Sequence, residues 1–131
     1  MAKFVIKGSN RLEGKIKISG SKNAILTLLP ASLLIDGKII FKNVPKIKDV
    51  EVMIKILEYL GAEIQFLDST LIINTKNVSY KDLLIEEVRM LRASVLFLGP
   101  ILAKFGKIKI YFPGGDVIGA RPIDAHLKGM I

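Results

Sequence analysis

An internal repeat limits the possible folds of this chain more than any other feature of its sequence. The first copy, Asn23–Phe41, has the same layout as the second copy, Arg92–Ile110: an apolar helix with a central proline, a Gly-Lys pair and a strand. The central prolines, Pro30 and Pro100, are 70 residues apart. Such a repeat indicates one supersecondary module that is used more than once, with each copy burying its helices against the next.

Each copy continues to a helix that an aspartate is predicted to open. Asp49 and Asp124 both suit N-cap positions, where a carboxylate accepts hydrogen bonds from the first free backbone N–H groups. After the first of these helices, segments 63–67 and 70–74 predict a β-hairpin that closes at Asp68 and Ser69. The first copy therefore extends to a unit of roughly βαβαββ, and the predicted fold class is α/β (α+β).

The helices of both copies are apolar nearly all round, which predicts that most of their surface is buried. Pro30 and Pro100 each remove a backbone hydrogen bond, so each is predicted to kink its helix. The residues predicted to form the core are Leu28, Leu29, Leu33, Leu34, Val95, Leu96, Phe97, Leu98 and Leu102.

The composition fits a single globular domain and excludes several kinds of site. The chain has 131 residues, of which 50% are hydrophobic, enough for a sizeable core. Cysteine is absent, which excludes disulfides, zinc sites built on thiolates, and thiol nucleophiles. The N-terminus lacks the apolar core of a signal peptide, and the uncharged apolar runs are too short to span a bilayer. We therefore expect a cytoplasmic protein with no membrane partner.

The positive charge is spread along the chain. The formal net charge is +8, but the lysines are scattered from Lys3 to Lys128 and no two basic residues are adjacent. A nucleic-acid binder usually concentrates its charge on one face and interleaves aromatic residues for stacking. We therefore expect no nucleic-acid partner, and a small basic module that binds RNA or an acidic protein is the less favoured alternative.

The two copies differ most in the connection that follows the strand. In the second copy, the glycine-rich connection Tyr111–Asp124 reads YFPGGDVIGARPID and is six residues longer than its counterpart. It follows the alternating apolar residues of segment 108–112, which predict a strand with one buried face. Asp116 and Arg121 lie between this strand and a helix start, where backbone N–H groups favour anions. A solvated ion pair over a turn is the alternative, but an insertion on a repeated scaffold usually marks the binding face.

Several motifs occur here in one order: SGSKNA at 19–24, LRAS at 91–94, PGG at 113–115 and IGARP at 118–122. In these motifs the chain resembles the UDP-N-acetylglucosamine 1-carboxyvinyltransferases of the enolpyruvyl transferase family. The resemblance implies an inside-out α/β barrel of repeated βαβαββ units, with helices inside and sheets outside. It also implies two domains that close over phosphoenolpyruvate and UDP-N-acetylglucosamine, with no cofactor and no metal.

The resemblance also implies how the chain is divided. Residues 1–21 would be N-terminal strands that belong to the second domain of the complete enzyme, and residues 22–131 would form an incomplete domain that carries the catalytic loop. The repeat covers about one and a half units, and the last predicted helix has no C-cap before Ile131. We therefore expect an N-terminal fragment that needs a C-terminal domain to complete its site.

The family's functional residues can be transferred where the motifs match. The resemblance implies that Asp116 is catalytic and that Lys22, Asn23 and Arg121 bind phosphoenolpyruvate. The residues that it implies for binding UDP-N-acetylglucosamine are Asn23, Arg92, Arg121, Pro122, Ile123, Asp124 and Ala125. Taken without the resemblance, Lys22 is a solvated lysine at a helix start, and Arg92 could equally cap an apolar helix.

Asp116 and Ser21 depart from the commoner residues of the family. Most members have cysteine at the position of Asp116, where the residue gives a proton to the methylene carbon of phosphoenolpyruvate. A carboxylic acid can do this when burial or a nearby anion raises its pKa. Because the antibiotic fosfomycin alkylates the cysteine thiol, the resemblance implies fosfomycin resistance for a chain with aspartate there.

Other readings remain open at this level. Enolpyruvylshikimate-phosphate synthase shares the family fold and phosphoenolpyruvate, although the KNA and PGG-to-GARP sequences count against it. His126, the only histidine, has no accompanying cluster of acidic residues and is interpreted as a partly exposed packing residue.

Overall fold

A computed structural model describes residues 3–8, 11, 13–115, 119 and 122–130. Helices and strands alternate through the first copy, and helical segments dominate the second. The helices are α1 (Lys22–Ala31), α2 (Lys48–Tyr59), α3 (Glu86–Met90), α4 (Leu98–Phe105) and α5 (Asp124–Lys128), with 3₁₀ helices at Ser32–Leu34 and Arg92–Phe97. The strands are β1 (Lys38–Phe41), β2 (Glu63–Leu67) and β3 (Thr70–Asn74).

The three strands form one antiparallel sheet in the order β1-β3-β2. The predicted hairpin is confirmed: β2 and β3 pair from Glu63 opposite Asn74 to Leu67 opposite Thr70. Asp68 takes the left-handed conformation that the tight turn requires, with φ of 52°. Leu71 and Ile73 on β3 are fully buried, so one face of the sheet covers the core.

The core lies between this sheet and the helices. Helix α1 packs against α2 and against the 3₁₀ helix Arg92–Phe97, and α2 packs against α3 and β2. The largest fully buried side chains are Phe97, Leu29, Leu33, Met53, Ile56, Leu57, Leu60, Leu71, Ile73, Leu83, Ile101 and Val50. The two copies of the repeat therefore share one core, as the module pattern predicted.

Part of the predicted core is exposed. Leu29, Leu33, Phe97 and Leu98 are buried as predicted, but the exposed fractions of Leu28 and Leu34 are 46% and 56%. Val95, Leu96 and Leu102 are half-buried. The prediction of burial on most sides is wrong for α1, because no described element covers the face that carries Asn23, Thr27 and Leu28.

The two prolines occupy different places in the two copies. Pro30 lies inside α1, and the 3₁₀ helix Ser32–Leu34 follows at once. In the second copy the 3₁₀ helix comes first, and Pro100 is the third residue of α4. Pro100 therefore lies in the first turn of α4, directly after the 3₁₀ helix, and the kink predicted there stays a prediction.

Neither aspartate is an N-cap. The N-cap of α2 is Ile47 and that of α5 is Ile123, so Asp49 is the second residue of α2 and Asp124 is the first residue of α5. Both carboxylates still lie in the first helical turn, where the helix dipole favours negative charge. The helix starts were predicted correctly, to within about a residue or two, and the capping role was wrong.

The strand predicted over 108–112 is reduced to one parallel bridge between Ile110 and Leu83. Ile108 and Ile110 are half-buried, but the exposed fraction of Phe112 is 63%, so the predicted alternation fails at its end. The described parts of segment 3–20 form no strand ladder, and Phe4 and Ile16 expose 98% and 90% of their surface. No helix among the described residues is long and apolar enough to cross a membrane.

Candidate functional site

Lys22 and Asp49 bring the starts of two helices together. Lys22 is the first residue of α1, and its Nζ lies 2.9 Å from Oδ2 of Asp49 in the first turn of α2. The two side chains are 53% and 33% exposed, so the pair is open to solvent. An ammonium group beside two helix N-termini is a favourable place for an anion, since free N–H groups and the charge act together.

The residues before Lys22 fix the entry into α1. A Cβ on Gly20 would lie 1.7 Å from the carbonyl oxygen of Asn43, so only glycine allows this close approach. Ser21 is the N-cap, and its Oγ accepts a hydrogen bond of 3.3 Å from the Ala24 N–H. Ser21, which departs from the commoner residue of the family, therefore caps the N-terminus of α1. Asn23 follows Lys22 on the exposed start of α1.

The LRAS motif forms a turn that is held by hydrogen bonds between the Ser94 side chain and the backbone. Ser94 is fully buried, and its Oγ lies 2.7 Å from both the Val88 and the Leu91 carbonyl oxygens. Arg92, which opens the 3₁₀ helix, donates from Nη2 to the Pro122 carbonyl oxygen at 3.4 Å. Arg92 therefore touches the end of the glycine-rich connection.

The start of the glycine-rich connection rests on the same turn. A Cβ on Gly114 would lie 1.6 Å from the Arg89 carbonyl oxygen, and the Gly114 N–H points to the Val88 carbonyl at 3.5 Å. Gly115 has φ of 106°, and a Cβ there would lie 3.0 Å from the Arg92 nitrogen. Gly115 and Pro122, two residues of the connection, therefore both lie beside Arg92.

The structure places the predicted site residues unevenly. Pro122, Asp124 and Ala125 are exposed, whereas Ile123 is buried at 4% exposure and serves the core. Asp116 and Arg121 lie outside the described residues. The binding roles that the resemblance implies require Lys22, Arg92 and Arg121 to lie close together, and this stays a prediction, although α1 does pack against the 3₁₀ helix that Arg92 opens.

Sequence reasoning missed three partners of the site. Asp49 was interpreted only as a cap, but it pairs with Lys22 across 27 residues. Arg89 was given no role, and Ser94 was noted only as part of a motif. The buried Ser94 could have been suspected, because a small polar residue inside an apolar helix usually bonds to a nearby carbonyl. The Asp49 partner has no local signal.

Comparison with known proteins identifies the family of the chain. A model of the family described as EPSP synthase (3-phosphoshikimate 1-carboxyvinyltransferase) matches residues 6–131. The chain belongs to this family.

Curated relatives in the EPSP synthase family match nearly the whole chain. A UDP-N-acetylglucosamine 1-carboxyvinyltransferase from Wigglesworthia glossinidia brevipalpis is 49% identical over 130 residues, which is 99% of this chain. The UDP-N-acetylglucosamine 1-carboxyvinyltransferase 2 from Carboxydothermus hydrogenoformans is 45% identical over 129 residues, or 98% of this chain. The chain spans 31% of the length of each of these relatives.

A solved structure supports the fold. The enolpyruvyl transferase NikO from Streptomyces tendae superposes with a TM-score of 0.65 at 23% identity, over 76% of this chain and 23% of that one. At this identity the likeness concerns the fold alone. The mixed arrangement of helices and strands is therefore the α/β fold of an enolpyruvyl transferase, as the sequence predicted.

Proposed function

We propose that this chain supplies one half of the active site of a UDP-N-acetylglucosamine 1-carboxyvinyltransferase. The whole enzyme would transfer the enolpyruvyl group of phosphoenolpyruvate to the 3-hydroxyl of UDP-N-acetylglucosamine, the first committed step of peptidoglycan synthesis in the cytoplasm. The observation that carries the proposal is the exposed Lys22–Asp49 pair at the joined starts of α1 and α2, in a chain whose relatives bear that enzyme name.

Lys22 is proposed to bind the phosphate of phosphoenolpyruvate. Its ammonium is a compact charge that can approach a phosphate closely, and the free N–H groups of the helix start add to the attraction. Asp49 holds the ammonium 2.9 Å away in the free chain, so it would orient Lys22 before the substrate arrives. Asn23, on the next position of α1, has an amide that can serve a substrate hydroxyl as donor or acceptor.

Arg92, Arg121 and segment 122–125 are proposed to bind the sugar nucleotide, and Arg121 also meets phosphoenolpyruvate. The contact from Arg92 to the Pro122 carbonyl supports this, because it places the Arg92 guanidinium beside the end of the glycine-rich connection. A guanidinium can bind a phosphate through two parallel hydrogen bonds. Ile123, being buried, would contribute its backbone and its packing rather than an exposed side chain.

Asp116 is proposed as the general acid. It would protonate the methylene carbon of phosphoenolpyruvate, so that the adjacent carbon bonds to the sugar 3-hydroxyl oxygen while that hydroxyl gives its proton to a base supplied by the second domain. Loss of phosphate and of a methyl proton then gives the enolpyruvyl sugar. Because a carboxylate is a far weaker nucleophile toward an epoxide than a thiolate, the enzyme would resist fosfomycin.

A second domain is proposed to complete the site, with residues 1–21 joining it as strands. The exposure of Phe4 and Ile16 supports this, because apolar residues that expose 98% and 90% of their surface gain free energy when they are covered. Two half-sites that close around both substrates provide the positioning that catalysis needs. We therefore expect the 131-residue chain alone to release no phosphate from the two substrates.

The decisive experiment compares two lysine variants in a full-length protein that carries this segment. Lys22→Gln should raise KM for phosphoenolpyruvate about 10- to 100-fold, which is the usual effect of losing a charged hydrogen bond. Lys55→Gln is the matched control, because Lys55 is an exposed lysine too but lies in the middle of α2, away from the helix start. Equal effects of the two changes would contradict the assignment of Lys22.

A binding titration separates the remaining alternatives. UDP-N-acetylglucosamine should bind, and shikimate 3-phosphate and single-stranded RNA should not. Preferential binding of shikimate 3-phosphate would favour the reaction in the family's description. Preferential binding of RNA would favour a basic binding module.

A further inference from the structure

One arginine contacts the glycine-rich connection twice. The guanidinium carbon of Arg89, on α3, lies 4.2 Å from the centre of the Tyr111 ring. The carbonyl oxygen of the same Arg89 lies so close to Gly114 that a Cβ on Gly114 would be only 1.6 Å from it. The side chain of Arg89 thus contacts Tyr111, and its backbone contacts Gly114, three residues further along the connection.

Neighbouring contacts fix the direction of the two segments. Tyr111 donates its N–H to the Leu83 carbonyl at 3.1 Å, and Leu83 donates to the Lys109 carbonyl at 2.7 Å. The Val88 carbonyl lies 2.7 Å from the buried Ser94 Oγ and 3.5 Å from the Gly114 nitrogen. Segment 83–94 therefore packs against segment 109–115 and is hydrogen-bonded to it at several points.

We propose that Arg89 and Tyr111 are positioning residues that set the register of segment 111–115 against segment 83–94. A shift of one residue in one direction would place Pro113 beside the Arg89 carbonyl, where its ring cannot fit. A shift in the other direction would place Gly115 there, which fits, so against this shift the register depends on the contact of the Tyr111 ring with the Arg89 guanidinium. The consequence for catalysis depends on the function proposed above, since Gly115 directly precedes Asp116.

The chemistry of the pair suits this role. A guanidinium is planar and stacks on an aromatic face, whereas a lysine ammonium cannot match that surface. Glu86, one turn earlier on α3, pairs with the same guanidinium, with its Oε1 3.4 Å from Arg89 Nη1. The Arg89 side chain is 55% exposed, so the stacking should favour the native register only about two- to fivefold.

The pair is tested first on the chain itself, by NMR. Tyr111→Leu keeps apolar bulk but removes the ring, so it should abolish the ring-current shift of the Arg89 side-chain protons. It should also speed amide exchange at Gly114 and Gly115 about two- to fivefold, with no change in β2 and β3. Tyr111→Phe keeps the ring and should behave like the unchanged chain, which separates loss of the stack from loss of the hydroxyl.

A double-mutant comparison decides whether the two residues act together. Arg89→Met should reproduce the exchange effect of Tyr111→Leu, and the double variant should be no worse than either single change. Additive effects, or an unchanged exchange rate at Gly114, would overturn the proposal. Unchanged exchange in β2 and β3 shows that the variants are folded.

The catalytic consequence is read separately in a full-length enzyme. Tyr111→Leu should lower kcat while the KM for UDP-N-acetylglucosamine stays unchanged, and Tyr111→Phe should restore kcat. A full-length protein without transferase activity in any form would defeat the proposed function and leave the exchange result standing. An exchange effect with unchanged kcat would show that the pair does not position the catalytic acid.

Discussion

The two copies of the repeat use the same layout for different purposes. In the first copy, β1 pairs with β3 along its whole length, from Lys38 opposite Asn74 to Phe41 opposite Leu71. In the second copy, the corresponding segment makes one bridge, at Ile110, and then leaves as the glycine-rich connection. A strand that is fully paired cannot bend toward a ligand, whereas a segment held at one bridge can. The first copy therefore contributes a strand to the sheet, whereas the second copy leads into the glycine-rich connection.

A similar close contact lies just before the first copy and just after the second. Gly20 and Gly114 each pass a carbonyl oxygen so closely that a Cβ would lie 1.7 Å and 1.6 Å from it. Each glycine stands two residues before a proposed functional side chain, Lys22 in one case and Asp116 in the other. A close backbone contact just ahead of a functional residue limits how far that residue can move.

The largest expected effect tests whether the connection carries the chemistry. In a full-length enzyme with this segment, Asp116→Asn should lower kcat about 10²- to 10⁴-fold, the usual worth of a general acid. Affinity for UDP-N-acetylglucosamine should change little, because the amide keeps the size of the side chain. Steady-state kinetics and a binding titration measure the two quantities.

Asp116→Cys is the control for this change. It should retain activity and gain time-dependent inactivation by fosfomycin. Full activity of Asp116→Asn, or inactivation of the aspartate form by fosfomycin, would reduce Asp116 to an ordinary residue of the connection.

The next effect tests the close contacts of Gly20 and Gly114 with backbone carbonyl oxygens. Gly20→Ala and Gly114→Ala should each lower the free energy of unfolding by about 1–3 kcal/mol, because the new methyl group would overlap a backbone carbonyl. Gly99→Ala on α4 is the matched control, since a Cβ there meets nothing within 4 Å. That change should instead stabilise the helix by about 0.5–1 kcal/mol. Urea denaturation of the chain measures all three, and similar values for all three would refute the close contacts.

A smaller effect compares one buried serine from each copy. Ser94→Ala should cost about 1–2 kcal/mol of stability, because the buried Ser94 hydroxyl shares its one proton between two carbonyl oxygens, and one of them belongs to α3. Ser32→Ala should cost less, about 0.5–1 kcal/mol, because its Oγ bonds only to Leu29 within the same helical segment. Thermal unfolding of both variants gives the difference, and a larger loss for Ser32→Ala would reverse this interpretation.

How far the sequence could predict this structure depends on the range of each interaction. The hairpin of β2 and β3 was predicted to the residue, because alternation and the Asp68-Ser69 turn are local signals. The pairing of Lys22 with Asp49 joins residues 27 apart, and no local pattern indicates it. The strand at 108–112 was overpredicted for the opposite reason: its alternation was clear, but a strand also needs a partner, and only Leu83 provides one among the described residues.

The candidate site was predictable in its motifs and not in its contacts. The motifs lead to predicted roles for Lys22, Arg92 and the glycine-rich connection, and these roles stay predictions. No motif indicated that Arg89 would stack on Tyr111, because that contact depends on how segment 83–94 lies under segment 109–115. Motif spacing identifies residue types, whereas packing decides which of them meet.

The smallest expected effect lies at the contact between the copies. Tyr80 follows the hairpin of the first copy, and its ring packs edge-on against Phe105 of the second, with centres 5.9 Å apart. The hydrogen bond that its hydroxyl donates to Asp82 Oδ1, at 2.8 Å, raises the pKa of Tyr80 above its usual 10.0. The folded chain therefore keeps this proton at a pH where the unfolded chain has lost it.

The sign of the pH dependence follows from that shift. A raised pKa in the folded state means that the stabilisation is fully present below pH 10.0 and is lost as the pH rises through the folded pKa. The difference in unfolding free energy between the unchanged chain and Tyr80→Phe should therefore shrink as the pH rises above 10.0, with most of the chain's other titrations cancelling in the comparison. Urea denaturation of both forms at pH 8 and above pH 10 measures it. Because the pair is accessible to solvent the change will be small, and a difference that grows with pH would show that Tyr80 does not donate to Asp82.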